Sequence, residues 1–436
     1  MKLVVIGTGY VGLVSGACFA DMGHEVICVD KDKSKIDRLE NGEIPIFEPG
    51  LDSIVSRNFK SGNLKFSNSL PDVLDGADVV LLAVGTPTDK ATGRADLRYV
   101  LAAAEEVAKN LKNKSVIVTK STVPVGTGKK VKAILQQHCP DLQCEVASNP
   151  EFLREGAAIS DFMKPDRIII GAESAYSKNA MAELYNKLIG EGYPILFVNV
   201  ETAELIKYSS NAFLAMKIAF ANEVSDICEG VGADIELVIK GMGMDKRIGG
   251  QYMQPGPGYG GSCFPKDTLA LTHIATDAGF PTGIIEAVIE SNNERRSRMT
   301  TKIINSCGGS VAGKKIGVLG LTFKANTDDM RDSPSLDIIP SLIGAGAEIS
   351  VYDPEGMDEA KKEFPQDEIT WCSGSYDAVK DADAVVILTE WDEFKQIDIK
   401  KLKSVVKNPL IVDLRNILDR QEVLKAGFEY VCVGKV

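Results

Sequence analysis

The chain has 436 residues, 44% hydrophobic and 25% charged, which is the balance of a packed globular protein and excludes a disordered one; the length predicts two or three domains. A formal net charge of −12 argues against nucleic acid or an anionic membrane surface as partner, and no stretch approaches the roughly 18 apolar residues of a membrane span. The nine cysteines form no CxxC pair and no zinc-like cluster, so we expect no metal site and reduced thiols in a cytoplasmic protein.

Residues 2–32, "KLVVIGTGYVGLVSGACFADMGHEVICVDKD", predict a strand, a glycine turn, a helix and a second strand ending at Asp30. Apolar runs at 77–84, 115–120 and 144–150 alternate with helical pattern such as 97–111. Continuous apolar strands separated by helices predict a parallel sheet covered on both faces. From about 201 the pattern becomes helical. Residues 201–232 carry one stripe of Ile206, Phe213, Met216, Phe220, Val224 and Ile227, and a second of Leu214 and Ile218 continuing to Asn211 and Lys207. A helix apolar nearly all round is expected to be buried, between domains or subunits. A further helical pattern spans 281–305.

"GKKIGVLGLTF" (313–323) restarts an α/β alternation, with strand-like runs at 349–352, 381–390 and 409–414. Residues 381–390 echo 76–85, and Asp353 ends a strand as Asp30 does, which predicts a duplicated fold. The restart lacks a full glycine fingerprint, so this half is expected to bind something other than a dinucleotide. The fold class is therefore α/β: two Rossmann-like doubly wound parallel-sheet domains, 1–200 and 306–436, joined by a central helical segment, 201–305.

Gly7-x-Gly9-x-x-Gly12 follows a strand and opens a helix containing Tyr10 and Val11, and Asp30 stands at the next strand end. That context suits a dinucleotide: a tight turn, close approach of the pyrophosphate, and a carboxylate for the ribose hydroxyls that repels a 2′-phosphate. NAD is favoured over NADP; FAD, or a glycine turn needed only for packing, is the competing reading. Lys35 either reaches the adenosine ribose or lies on a solvated helix face. Thr86 and Thr122 follow strands at the carboxyl edge where open α/β sheets bind ligands, unless they serve only turn chemistry. Glu151 and Glu155 in "NPEFLREG" are spaced as one helical turn, and either do chemistry or complement a helix dipole. Lys207, four residues before Asn211, needs a buried partner or snorkels to water.

The stretch "GYGGSCFPKD" (258–267) wraps Cys263 in glycines and follows it with Lys266 and Asp267. Cys263 is either a small buried hydrophobe or a nucleophile that nearby charge activates. With NAD, a nucleophilic thiol has a specific meaning. Its addition to an aldehyde creates a tetrahedral carbon that releases hydride, leaving a thioester that water cleaves to a carboxylic acid. Asparagine or lysine beside the adduct oxygen would stabilise the developing oxyanion.

Taken together, "KSTVPVGT", "SNPEFLREG", "KYSSNAFLAMKIAFANE", "GPGYGGSCFPKD" and "GLTFKANTDDMRDSP", in this order behind the fingerprint, resemble the UDP-glucose/GDP-mannose dehydrogenase family over essentially the whole chain. Within it "GGSCFPKD" and "NAFLAMKIAFANE" look most like the UDP-glucose group; GDP-mannose and UDP-N-acetylhexosamine enzymes are the near competitors. A two-electron dehydrogenase with a structural cysteine, or a binder without turnover, is a more distant one. The resemblance implies oxidation of UDP-glucose to UDP-glucuronate with two NAD⁺. It makes Cys263 the nucleophile, sets Lys207, Asn211 and Asp267 around the reacting oxygen, and leaves Glu151 and Thr122 to manage a proton and the hydrolytic water. It places Asp30, Lys35, Thr86, Thr122, Glu155, Lys266 and Arg331 on NAD, with Gly7, Gly9, Tyr10, Val11 and Gly12. On the sugar nucleotide it places Glu151, Phe152, Leu153, Lys207, Asn211, Tyr252, Gln254, Gly256, Gly260, Phe323, Lys324 and Arg415. It also implies a homodimer in which Arg247 reaches the neighbouring subunit's substrate.

Overall fold

A computed structural model describes residues 1–89 and 91–435. The chain forms two compact units, Met1–Ser210 and Asn211–Val436, and the division falls within one continuous helix, Val200–Val231.

The first unit is built on eight strands: β1 (Lys2–Ile6), β2 (Glu25–Val29), β3 (Leu64–Ser67), β4 (Val79–Leu82), β5 (Val116–Thr119), β6 (Glu145–Ser148), β7 (Ile168–Ala172) and β8 (Ile195–Val198). Their order is β3-β2-β1-β4-β5-β6-β7-β8. In register, Val4 lies beside Ile27 on one side and Val80 on the other. Because successive strand residues point to opposite faces, β1 feeds two cores. Leu3 and Val5 pack with Leu13, Phe19 and Leu81. Val4 and Ile6 pack with Leu82, Val107 and Val131 on the other face. The sheet departs from the expected all-parallel form at one step: β6 and β7 run antiparallel, pairing Ala147 with Ala172 and Ser148 with Gly171.

The second unit carries the helices Phe264–Asp277 and Gly283–Ser306 and a six-stranded sheet. Its strands are β9 (Lys315–Leu319), β10 (Glu348–Tyr352), β11 (Ile369–Trp371), β12 (Ala384–Ile387), β13 (Leu410–Asp413) and β14 (Glu429–Cys432). All pair in parallel in the order β11-β10-β9-β12-β13-β14, the order of the first six strands of the other unit. The duplication extends to the turns. Gly7 (φ +101°) and Gly320 (φ +94°) each donate to the last residue of the second strand of their sheet, Val29 O and Tyr352 O, at 2.8 Å.

The two strand-end aspartates then diverge. Asp353 is fully buried, and its Oδ2 accepts from Leu321 N, Thr322 N, Thr322 Oγ1 and Trp391 Nε1. With Oδ1 taken by Glu355 N and Gly356 N, this carboxylate holds its own turn together. It is not the ribose-binding counterpart of Asp30.

Candidate functional site

In the first unit the helix Tyr10–Asp21 begins at Gly9 with no side-chain cap and no acidic residue in its first turn. Its leading N–H groups and positive dipole end therefore suit an anion. The three fingerprint glycines are required for different reasons. A Cβ on Gly12 would lie 1.9 Å from Gly7 O, and one on Gly7 would lie 2.7 Å from Ala83 O, whereas one on Gly9 would meet nothing within 4 Å. No protein atom explains glycine at position 9, and the open space in front of the helix fits a diphosphate. Asp30 accepts Thr8 N at 2.9 Å and Thr8 Oγ1 at 2.7 Å. Burial opposes its charge, but the N–H groups of Asp32 and Thr8, the Thr8 hydroxyl and the field of Lys35 hold it below the usual carboxylate range. It is ionised at neutral pH, as a ribose-binding carboxylate must be. These residues fit NAD.

Tyr10 reaches sideways from this helix. Its hydroxyl donates to Glu48, and Glu48 accepts Gly156 N and Ala158 N, each at 2.7 Å. Glu48 is thus the cap of the helix Ala158–Met163, which corrects the expectation that Glu151 and Glu155 share a helical first turn. Pro150 and the positive φ of Gly156 keep 151–157 out of helix, and the helix starts at Ala158. Glu155 instead bears on the Tyr10 hydroxyl, whose ionisation burial and Glu48 oppose first.

Glu151 turns inward. Its Oε2 accepts Leu153 N at 2.6 Å and its Oε1 accepts Lys207 Nζ at 3.1 Å, with Lys207 only 3% exposed. Lys207 does not snorkel. Its ammonium also sits 5.3 Å from the Phe152 ring, whose face is covered by Arg167 at 3.8 Å. A second buried lysine, Lys120, donates to Asn149 Oδ1 at 2.9 Å and Tyr185 OH at 3.3 Å; burial pushes it down to about 8 against the pull of Glu151. Thr86 Oγ1 donates to Thr122 O at 2.9 Å, fixing the turn in which the partly exposed Thr122 stands. Neither Glu48 nor Lys120 is marked as buried by its local sequence, because the partners that enclose each lie far along the chain.

In the second unit Cys263 is the residue from which the helix Phe264–Asp277 starts, a position that favours negative charge. Ser262 Oγ lies 3.4 Å from its sulfur. One turn on, the fully buried Asp267 accepts Asn211 Nδ2 and Lys266 Nζ, each at 2.6 Å. The glycines before Cys263 are explained by the chain itself: a Cβ on Gly260 would lie 2.2 Å from Asp332 O, and one on Gly261 2.7 Å from the Phe323 ring. They admit the 323–332 loop. Gly261 N donates to Arg331 O at 2.8 Å, while the Arg331 guanidinium is paired with Asp329.

Arg415 completes this cluster, donating to Leu388 O and Phe323 O and standing 3.3 Å from where a Gly256 Cβ would be. Gly256 N is held by Asn222 at 2.8 Å. Tyr252 adopts φ +60° and faces the Phe264 ring at 6.1 Å, Gln254 is exposed, and Lys324 lies over Phe323 at 5.3 Å. Arg247 is exposed and paired with Asp245.

A Rossmann-type sheet with an open anion-binding turn and an ionised strand-end aspartate, together with a second sheet of the same order and a helix-leading thiol, defines a nucleotide-dependent dehydrogenase. Family models match three regions: the NAD binding domain of the UDP-glucose/GDP-mannose dehydrogenase family at 1–189, its central domain at 201–294 and its UDP binding domain at 317–420. The chain belongs to the UDP-glucose/GDP-mannose dehydrogenase family, and it is an NAD-dependent enzyme. It is 52% identical over 437 residues to the UDP-glucose 6-dehydrogenase of Rhizobium meliloti (strain 1021), covering all of both chains. It is 47% identical to UDP-glucose 6-dehydrogenase TuaD of Bacillus subtilis (strain 168), covering all of this chain and 93% of the other. Among solved structures, a UDP-glucose dehydrogenase from Pyrobaculum islandicum superposes with a TM-score of 0.91 at 37% identity, covering 100% of this chain and 98% of that one.

Proposed function

We propose that the chain oxidises UDP-glucose to UDP-glucuronate, consuming two NAD⁺ and one water. The observation that carries this reading is Cys263 at the head of a helix whose buried Asp267, one turn on, holds Asn211 at 2.6 Å; full-length likeness to UDP-glucose 6-dehydrogenases supports the choice of sugar. Three functional regions follow: 1–200 for NAD, 201–305 for dimerisation, 306–436 for UDP.

NAD would be held by Gly7, Gly9, Tyr10, Val11, Gly12, Asp30, Lys35, Thr86, Thr122, Glu155, Lys266 and Arg331; when bound it supplies the hydride acceptor. Phe152, Leu153, Tyr252, Gln254, Gly256, Gly260, Phe323, Lys324 and Arg415 would orient the sugar nucleotide. Loss of one hydride from the C6 carbon of the sugar, with its hydroxyl proton passing to solvent, gives an aldehyde; the Cys263 thiolate adds to that carbonyl, and the tetrahedral oxyanion is stabilised by Asn211 and Lys207. Loss of hydride from that carbon leaves a thioester on Cys263. Water, positioned by Glu151 and Thr122, cleaves it to the carboxylate and restores the thiol, with Asp267 keeping Asn211 and Lys266 in place.

The same reading includes a homodimer and a cytoplasmic setting. Phe213, Phe220, Ile227 and Val231 recur at helical spacing along Val200–Val231 and are exposed in the single chain, Val231 at 71%. A stripe of that kind is a surface for a second copy. Arg247, exposed at the side-chain level, is assigned to the partner's substrate. All nine cysteines are free thiols, and no helix among the described residues is long and apolar enough to cross a membrane. Initial rates with UDP-glucose, GDP-mannose and UDP-N-acetylglucosamine test the substrate: UDP-glucose is expected to lead in kcat/KM by at least tenfold, and a lead by either competitor removes the reading.

A further inference from the structure

The helix Thr127–His138 begins at Gly126 without a side-chain cap of its own. The missing acceptor comes from elsewhere: Glu204 Oε2 accepts Gly126 N at 2.7 Å and its Oε1 accepts Gly128 N at 2.8 Å. Glu204 is 2% exposed and stands one turn before Lys207 on the Val200–Val231 helix. The approach is close. A Cβ on Gly128 would lie 2.4 Å from Val200 Cγ1, and one on Gly171 2.7 Å from Ala203 Cβ. The loop so gripped is the one bearing Thr122. Its near end is held by Thr86 Oγ1 on Thr122 O and by Ser121 Oγ on Val84 O at 2.6 Å; its far end is held by Glu204.

We infer that Glu204 is a positioning residue that locks the Thr122 loop to the helix carrying Lys207, so that both groups keep one geometry toward Glu151. This rests on the reading of Lys207 and Thr122 as catalytic. A cap needed only for stability would more simply be a serine or aspartate at the helix's own start. A buried carboxylate reaching in from another helix couples the two elements instead.

Burial pushes the Glu204 carboxyl up to about 7, with Gly128 N and Gly126 N pulling it down, Glu201 adding to the rise and Lys129 opposing it. Lys129 is itself paired with Glu201 at 2.9 Å. Above pH 7 both oxygens accept N–H groups; below it one oxygen carries a proton and the grip loosens.

The test is the full-length enzyme assayed with UDP-glucose and NAD⁺ from pH 6 to 9, with thermal unfolding at each pH. Glu204→Gln is expected to lower kcat roughly tenfold or more, the scale of a misplaced catalytic group. KM for UDP-glucose should change little, the melting temperature at pH 8 should not fall, and the acid limb near pH 7 should vanish. A wild-type kcat and acid limb in that variant, or a loss of rate matched by a loss of stability, overturns the inference. Should Glu204→Gln not fold, Glu204→Asp decides: one methylene shorter, it cannot reach both N–H groups and should show the same drop in kcat, and a wild-type rate overturns the proposal. Lys207→Ala separates the two levels. If it is inactive while Glu204→Gln is normal, this inference alone fails; if it keeps full activity, the reading of the site fails as well.

Discussion

Lys207 Nζ lies 3.1 Å from Glu151 Oε1, and both side chains are nearly sealed from solvent. A buried ion pair contributes little net stability over an apolar pair, but removing one partner leaves an uncompensated charge. Lys207→Met and Glu151→Gln should each cost roughly 3 kcal/mol or more, while the double variant should cost less than the sum. Urea unfolding of the four proteins checks this. Additive losses would mean that the two groups do not share their burial.

Gly9 and Gly12 should separate binding from folding. Gly12→Ala forces a Cβ to 1.9 Å from Gly7 O and is expected to prevent or severely weaken folding. Gly9→Ala, with nothing within 4 Å, should leave the melting temperature within a degree or two while weakening NAD⁺ binding about tenfold or more, because the methyl fills the diphosphate's space. Thermal unfolding and NAD⁺ titration on both variants give the answer, and equal destabilisation would contradict it.

Asp30 has a depressed carboxyl, so its stabilising effect is present above the unfolded value of 3.8 and is lost as pH falls through the folded one. Asp30→Asn should therefore lower stability by a constant amount from neutral pH upward and flatten the fall below about pH 4, so that the two curves converge in acid. The same substitution removes the charge that repels a 2′-phosphate and should narrow the preference for NAD⁺ over NADP⁺ by about tenfold or more, read as a ratio of kcat/KM values.

The exposed stripe on the Val200–Val231 helix should be covered in solution. Phe213→Glu with Phe220→Glu is expected to convert a dimer to a monomer in size exclusion with light scattering, and a dimer unchanged by both charges would remove this helix from the interface.

How much of this was legible in the sequence depended on distance along the chain. The fingerprint from Gly7 to Gly12, its strand and Asp30 are local, and periodicity with glycine placement reveals them. The duplication of the fold was visible as the echo of 76–85 in 381–390, though the strand order of the second sheet was not. Side-chain partners were not, because they join residues far apart: Glu151 and Lys207 are 56 positions apart, Glu204 and Gly126 are 78, and Glu48 and Gly156 are 108. The packing reason for the glycines before Cys263 was hidden in the same way. Their crowding comes from Phe323 and Asp332, which no local pattern connects to them. Asp353 resembled Asp30 in place but not in role, since its saturation depends on Trp391, 38 positions later.

The proposed four-electron oxidation through Cys263 is read from the NADH formed per UDP-glucose consumed with NAD⁺ in excess. Two NADH and a carboxylate product are expected, and Cys263→Ala should stay folded yet form no acid. One NADH per sugar with aldehyde released by the wild-type enzyme, or full acid formation by Cys263→Ala, would contradict the account.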